Sequence, residues 1–391
     1  APPRPRTGAG PARPLEGPTL SRRHARVWAI GDGLAIERLG RATMALDGEP
    51  ATSALTLTAG KTVLLGDELL LLCERRPLPA PSLTTAAPPP EEEEGHPFGA
   101  ADPQGLVGET PAFGTVRERI RFAAGTTTPL LVTGAPGSGR EAIARAVHAL
   151  SPTPTPLVAI DGEALRAEDL DALASRDDDA PTLLVLDIGE MPGEMQAQLA
   201  RFATRLMSRP LPRPRLVATT THDNEKVRPT LSARFPLVIR VPELAERRAD
   251  VPLIARALLR AMAEEQPSIA ERFFRAPAPG DEPAHGEPRL GPRLVTRLVR
   301  HPFPGQVHEL HSVLWRAAMT SPGNELDLTP EVEAVLAAYA GPTVPSRLSP
   351  DVIRAALVQT RGKVSEAARR LGLNSRFQLY RLMEKYDIKP S

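Results

Sequence analysis

Residues 131–148 read LVTGAPGSGREAIARAVH, an apolar run that ends in a glycine-rich turn and continues as an amphipathic helix. This join of strand, turn and helix constrains the fold more than any other stretch. The strand needs a sheet to receive it, and helices must cover that sheet on both faces. Gly134, Gly137 and Gly139 carry the spacing of a phosphate-binding loop, G-x-x-x-x-G-K-[ST], with Ser138 inside it and Arg140 and Glu141 at its seventh and eighth positions. Such a loop works because backbone N–H groups and a helix N-terminus cradle anionic oxygens while a compact lysine ammonium reaches the outer phosphates. Arg140 keeps the charge but brings a bulkier planar fork. Two readings follow from these residues: a loop that holds nucleotide weakly, or a glycine-permitted turn kept for folding.

The surrounding pattern predicts several domains, as a chain of 391 residues allows. In residues 105–245 the runs LLVTG, PLVAI, TLLVLD, RLVATT and LVIRV alternate with helical segments, which predicts an α/β subdomain with a parallel sheet. Helical periodicity takes over in residues 246–340, predicting a helical lid with one Pro/Gly/acid insert. Residues 1–76 hold short β-type runs separated by Gly-Asp and Asp-Gly turns and predict a small all-β sandwich, one that the start at Ala1 leaves open to truncation. Residues 77–104 combine a proline run with four consecutive glutamates; they read as a solvated linker or an acidic docking tail.

Charge decides where nucleic acid could bind. With 48 Lys plus Arg against 47 Asp plus Glu the chain carries only +1, so affinity must come from a local patch. Residues 348–391 supply it, with nine basic and four acidic side chains from Ser349 onward. Ser349 and Pro350 read as a helix start, and Ile353, Ala356, Leu357 and Thr360 mark its apolar face. Val364, Ala367, Ala368 and Leu371 mark a second helix, and Leu379, Leu382, Met383 and Tyr386 a third. Off that third face, Asn374, Ser375, Arg376, Gln378 and Arg381 are the candidates for contacts with double-stranded DNA. A lone Cys73 rules out a disulfide framework, the first twenty residues lack a signal-peptide core, and no run is long enough to span a bilayer. The expectation is a cytoplasmic protein without a membrane partner.

The last segment resembles the Fis-type helix-turn-helix that ends bacterial enhancer-binding proteins. The centre follows: LVGETPAF, GAPGSGREAIARAVH, IGEMPGEMQAQL, LSARFPLVIRVPELAERRADVP and FPGQVHEL resemble, in order, the AAA+ module of sigma-54-dependent activators. That resemblance implies an ATP-dependent machine, but this chain departs from it. Where the family carries L-D-E-I-G-E-M-P after the third strand, residues 185–192 read VLDIGEMP, so Leu186 stands at the metal position and Asp187 is the single remaining carboxylate. Thr221 replaces the polar sensor after the fourth strand, and His308 the second sensor arginine. Arg228 and Arg234 match the arginine-finger positions. Residues 161–182 offer no counterpart of the G-A-F-T-G-A loop that touches the sigma factor. HELH spaces His308 and His311 three apart rather than four, so no metal site is assigned.

The head of the chain, LSRRHARV followed by β-type runs, resembles a forkhead-associated (FHA) domain, in which Ser21 and Arg22 would contact a phosphothreonine and His24 would brace the loop. The rim asparagine-glycine of that family is Asp47-Gly48 here. Together the resemblances imply a DNA-binding regulator whose AAA+ core has lost hydrolysis and sigma-54 contact. They imply weak ATP or ADP binding, doubtful Mg2+, self-association or mixed assembly with related AAA+ regulators, and a possible phosphothreonine protein as partner. The rival readings are a working ATP-dependent activator with atypical motifs, and a phosphopeptide adaptor.

Overall fold

The computed structural model describes residues 24–31, 33–51, 54–66, 68–75, 99–152, 155–174, 180–210, 213–221, 226–275, 286–339 and 350–360, with Val364, Ala367, Arg370, Leu371, Met383 and Ile388. Two compact units divide the chain, Ala1–Thr329 and Pro330–Ser391.

The first unit begins with antiparallel strands β1 (Ala25–Ile30), β2 (Gly33–Arg38), β3 (Met44–Leu46), β4 (Glu49–Pro50), β5 (Leu55–Leu57), β6 (Thr62–Leu65) and β7 (Leu69–Leu72). They form one sheet ordered β1-β2-β5 and another ordered β4-β3-β6-β7. Ile36, Met44, Leu57, Val63 and Leu65, drawn from both sheets, share one small apolar core. Asp47 (φ 52°) and Gly48 (φ 89°) join β3 to β4 with positive φ at both positions, the conformation of a two-residue hairpin turn. The Asp47 carboxylate then closes the turn: Lys61 Nζ lies 2.6 Å from Oδ2, and Thr62 N–H donates to Oδ1 at 2.9 Å.

The α/β part follows as α1 (Pro111–Ala124), β8 (Leu130–Thr133), α2 (Arg140–Ala149), β9 (Leu157–Asp161), α3 (Ala167–Ala174), β10 (Thr182–Leu186), α4 (Gly193–Met207), β11 (Arg215–Thr220), α5 (Pro229–Ser232) and β12 (Leu237–Arg240). All five strands pair in parallel, in the order β12-β8-β11-β10-β9. Each strand sends alternate residues to opposite layers. Leu130, Val132, Leu184, Val217 and Ile239 pack with α1 and α2, whereas Leu131, Leu183, Val185, Leu216 and Ala218 pack with α4. Each predicted run of this segment is a strand, and the carboxyl ends of β8, β10 and β11 open side by side, where ligands of such sheets bind.

The lid consists of α6 (Val251–Glu265), α7 (Pro267–Phe273), α8 (Pro292–Arg300) and α9 (Gln306–Thr320). Asp250, fully buried ahead of α6, accepts hydrogen bonds from Glu109 N, Thr110 N and Thr110 Oγ1 at 2.7, 3.0 and 2.7 Å, tying LVGETPAF to the lid. Arg247 lies over the Phe113 ring, 4.7 Å from its centroid; burial draws its pKa down to about 10, which leaves it charged at neutral pH. The Arg300 guanidinium donates to the Asp47 carbonyl, so the β3–β4 turn rests on the end of α8.

The second unit contains α10 (Pro330–Tyr339) and α11 (Pro350–Gln359). Ile353, Ala356 and Leu357, from the face expected at the start of this segment, bury with Ala367, Met383 and Ile388. Among the described residues no helix is long and apolar enough to cross a membrane.

Candidate functional site: the loop after the first parallel strand

Gly134 leaves β8 and donates its N–H to the Thr220 carbonyl at 3.3 Å, which fixes the loop to the neighbouring strand β11. A Cβ at Gly134 would lie 2.6 Å from Ser138 Oγ and 3.1 Å from Val241 Cβ, so the loop closes only around glycine. Gly137 and Gly139 have φ of +77° and +96°, backbone that L side chains rarely adopt. Gly139 is the N-cap of α2 and no side chain caps the helix, which turns its first N–H groups and positive dipole end toward the cleft. Gly134, Gly137, Ser138 and Gly139 thus form a tight turn from β8 into α2.

The two atypical positions of the loop diverge. Arg140 turns inward, and its Nη2 lies 2.8 Å from Asp187 Oδ1 at the end of β10. Glu141 faces outward along α2, where Arg145 Nε donates to its carboxylate at 2.8 Å. Asp187 has φ 48° and ψ 57°, and its N–H donates to Thr219 Oγ1 at 2.9 Å, so the backbone aims the carboxylate across the cleft at Arg140. Arg140 Nη1, Asp187 Oδ1, Ser138 Oγ and Thr220 Oγ1 are buried here and make no hydrogen bond among the described residues. Magnesium beside such a loop is held by an eighth-position hydroxyl and a strand-end carboxylate. Here the eighth residue is Glu141, turned to Arg145, and Asp187 is engaged by a guanidinium, so this donor set does not fit a magnesium ion. The anionic oxygens of a nucleotide do fit Ser138 Oγ and Arg140 Nη1, which are donors, once the Asp187 carboxylate gives way.

The other expected positions lie around this cleft. Thr221 follows β11, one residue past the inward hydroxyl of Thr220. Glu190 is bound to Lys226 at 2.8 Å on the surface. Arg228 and Arg234 flank α5 and are exposed; the Arg228 backbone N–H donates to Gln196 Oε1 at 2.8 Å, and its guanidinium crowds Gly193. His308 stands over the loop, with Nδ1 3.3 Å from where a Cβ on Gly137 would be. Val307 N–H donates to the Gly137 carbonyl at 3.1 Å, a direct link from α9 to the loop. Ser21, Arg22, Asn374, Ser375, Arg376, Gln378 and Arg381 lie outside the described residues, while His24 is buried and its carbonyl accepts from Leu39 and Gly40.

Several contributors were not legible as a motif. The turn that delivers Val307 and His308 is held by Glu309, which accepts from Gly305 N at 2.7 Å and meets His301 Nε2 at 2.5 Å, with both side chains fully buried. Gln306 Oε1 accepts from Leu244 N at 2.8 Å. His311 accepts from Trp315 Nε1 at 3.1 Å, so the histidines of HPFPGQVHELH face different partners. A buried His-Glu pair at a separation of eight residues has no sequence signature; the triple threonine of VATTT was the one available hint of the inward hydroxyls.

Two segments of the chain match known family models. Residues 107–234 match the Sigma-54 interaction domain, and residues 348–386 match the bacterial regulatory protein, Fis family. The transcriptional regulatory protein ZraR of Salmonella typhimurium is 28% identical over 328 residues, covering 73% of this chain and 70% of that protein. GlrR of Escherichia coli is 27% identical over 322 residues, covering 73% and 68%. A solved structure of NtrX from Brucella abortus in complex with ADP aligns with a TM-score of 0.47 at 21% identity, covering 73% of this chain and 69% of that one. The chain belongs to the family of sigma-54-dependent enhancer-binding transcriptional regulators, and its Fis-type segment makes it a DNA-binding member.

Proposed function

We propose that this regulator binds DNA through its C-terminal segment and uses its AAA+ core for assembly rather than for ATP hydrolysis. On this reading the core has lost both turnover and sigma-54 contact, and it self-associates or enters mixed assemblies with related AAA+ regulators in the cytoplasm. It holds ATP or ADP weakly, without magnesium. The observation that carries the reading is the 2.8 Å ion pair between Arg140 and Asp187. Hydrolysis needs one carboxylate for a metal and one for the attacking water. The single acid at this strand end is instead engaged by the loop's own cation, and no hydroxyl follows that cation in the sequence.

Arg228 and Arg234, exposed beside α5, suit a subunit interface, since an arginine finger accelerates nothing until metal and water are in place. The β-rich head is proposed as an FHA-like sensor with altered phosphate recognition. Its rim residue Asp47 is engaged by Lys61, Thr62 and Arg300, which favours a scaffolding role over capture of a phosphothreonine. The test is phosphate release from magnesium-ATP by the purified chain, alone and with its DNA. Background release supports the proposal; saturable turnover that disappears in Arg140→Ala overturns it.

A further inference from the structure

Arg140 and Asp187 are unequally placed. The Arg140 side chain is 11% exposed and the Asp187 side chain 47% exposed. A buried guanidinium needs a counter-charge, whereas a half-solvated carboxylate gives up such a contact at little cost. Around the pair, Ser138 and Thr220 are only 2% and 1% exposed, and Ser138 Oγ, Thr220 Oγ1 and Arg140 Nη1 make no hydrogen bond among the described residues; nor does Asp187 Oδ1, whose contact with Arg140 is an ion pair without hydrogen-bond geometry. Buried donors left in this way await an acceptor. Ser138 Oγ lies against Gly134 and Arg140 opens α2 beside it, at the uncapped N-terminus of that helix, whereas the Thr220 hydroxyl faces Gly189.

We infer that Asp187 is a displaceable internal counterion for Arg140, and that the cleft takes the diphosphate of a nucleotide without a divalent cation by exchanging this carboxylate for phosphate oxygens. The inference rests on the nucleotide-holding part of the proposed function. It assigns Asp187 a role opposite in sign to that of a strand-end acid in a metal-dependent site. There, removing the carboxylate removes a metal ligand and weakens binding. Here, removing its charge removes a competitor and tightens binding. Asn is the substitution of choice because Asp187 sits at φ 48°, a conformation asparagine also accepts.

The experiment is isothermal titration of the full chain with ADP and, separately, with inorganic pyrophosphate, in excess EDTA and in excess magnesium. The expected result is wild-type binding of both probes that magnesium leaves unchanged or weakens. Asp187→Asn should bind about tenfold more tightly, about 1.4 kcal/mol, and Arg140→Gln should lose binding. Circular dichroism checks each variant; should Arg140→Gln not fold, Ser138→Ala takes its place with a smaller loss expected. Pyrophosphate binding comparable to that of ADP identifies the diphosphate as the recognised group. Binding only with magnesium, weaker binding in Asp187→Asn, or no binding of either probe by wild type and Asp187→Asn overturns the inference. Phosphate release from magnesium-ATP in the same samples separates the two claims. Turnover refutes the proposed function, whereas magnesium-dependent ADP binding without turnover refutes only the counterion role.

Discussion

Replacing Glu309 by alanine should unfasten the lid from the glycine loop without touching the loop itself. Its carboxylate accepts from Gly305 N–H and meets His301 Nε2, in a place where both side chains are fully buried. Removal strands the buried His301 Nε2 and the part-buried Gly305 N–H. Each orphaned group costs about 1–3 kcal/mol, and breaking a buried pair of this kind costs about 3–5 kcal/mol in total. Glu309→Gln preserves the volume and can still accept from Gly305, so about 1–2 kcal/mol is expected. The chain has two tryptophans, Trp28 in β1 and Trp315 in α9, so a Trp28→Phe background makes urea unfolding followed by fluorescence a reading of the lid alone. This matters because a chain of several domains does not unfold as one unit. With a slope of about 1–3 kcal/mol per molar urea, Glu309→Ala should lower the Trp315 midpoint by 1 M or more, and Glu309→Gln by roughly half as much. A midpoint for Glu309→Ala within about 0.3 M of the parent would mean that the His301–Glu309 pair does not hold the turn, and the account of the lid would fail.

Gly137→Ala should destabilise the same contact from the other side. Its φ of +77° costs an alanine about 1–2 kcal/mol, and the new Cβ would lie 2.9 Å from the Gly305 carbonyl, so the Trp315 midpoint should fall. The head should lose stability in acid. Burial alone would raise the Asp47 carboxyl, but hydrogen bonds from Lys61 and Thr62 and the charges of Lys61 and Arg300 outweigh it, holding its pKa below 3.8. A group depressed in the folded state contributes above its unfolded pKa and loses that contribution as pH falls through the folded one. Trp28 fluorescence should therefore show stability falling below about pH 4, less steeply in Asp47→Asn. Nine basic against four acidic residues from Ser349 onward predict DNA affinity that drops steeply with salt; a flat dependence would count against the electrostatic argument.

The parallel sheet was legible because its three central strands, β8, β11 and β10, are runs buried on both faces, and the loop because glycine alone tolerates its backbone at Gly134, Gly137 and Gly139. The pairing of Arg140 with Asp187 was not, although both residues had been singled out separately. Sequence spacing carries no information on whether a long side chain turns inward, and Glu141, its neighbour, turns out to Arg145 instead. The lid turn was equally hidden. It depends on two non-glycine residues at positive φ, Phe303 at 49° and Gln306 at 55°, which no periodicity encodes, and on a carboxylate eight residues from its histidine.

One question is why a regulator would keep this loop if turnover is gone. The ion pair offers a physical answer on the reading proposed above. A phosphate loop without ligand concentrates a helix dipole and a cation in a buried place, and an unpaired guanidinium there would oppose folding. Asp187 offsets that cost from within the chain, so the core reaches its assembled shape without nucleotide. The pair is partly exposed and contributes about 0–1 kcal/mol by itself, whereas a ligand at a hundred times its Kd adds about 2.7 kcal/mol. The internal counterion is therefore weaker than the ligand it stands in for. Saturating ADP should raise the unfolding midpoint of the wild type, and should raise it further in Asp187→Asn, where the unliganded protein has lost its substitute anion. Equal shifts in the two proteins would show that the carboxylate and the phosphate do not share Arg140.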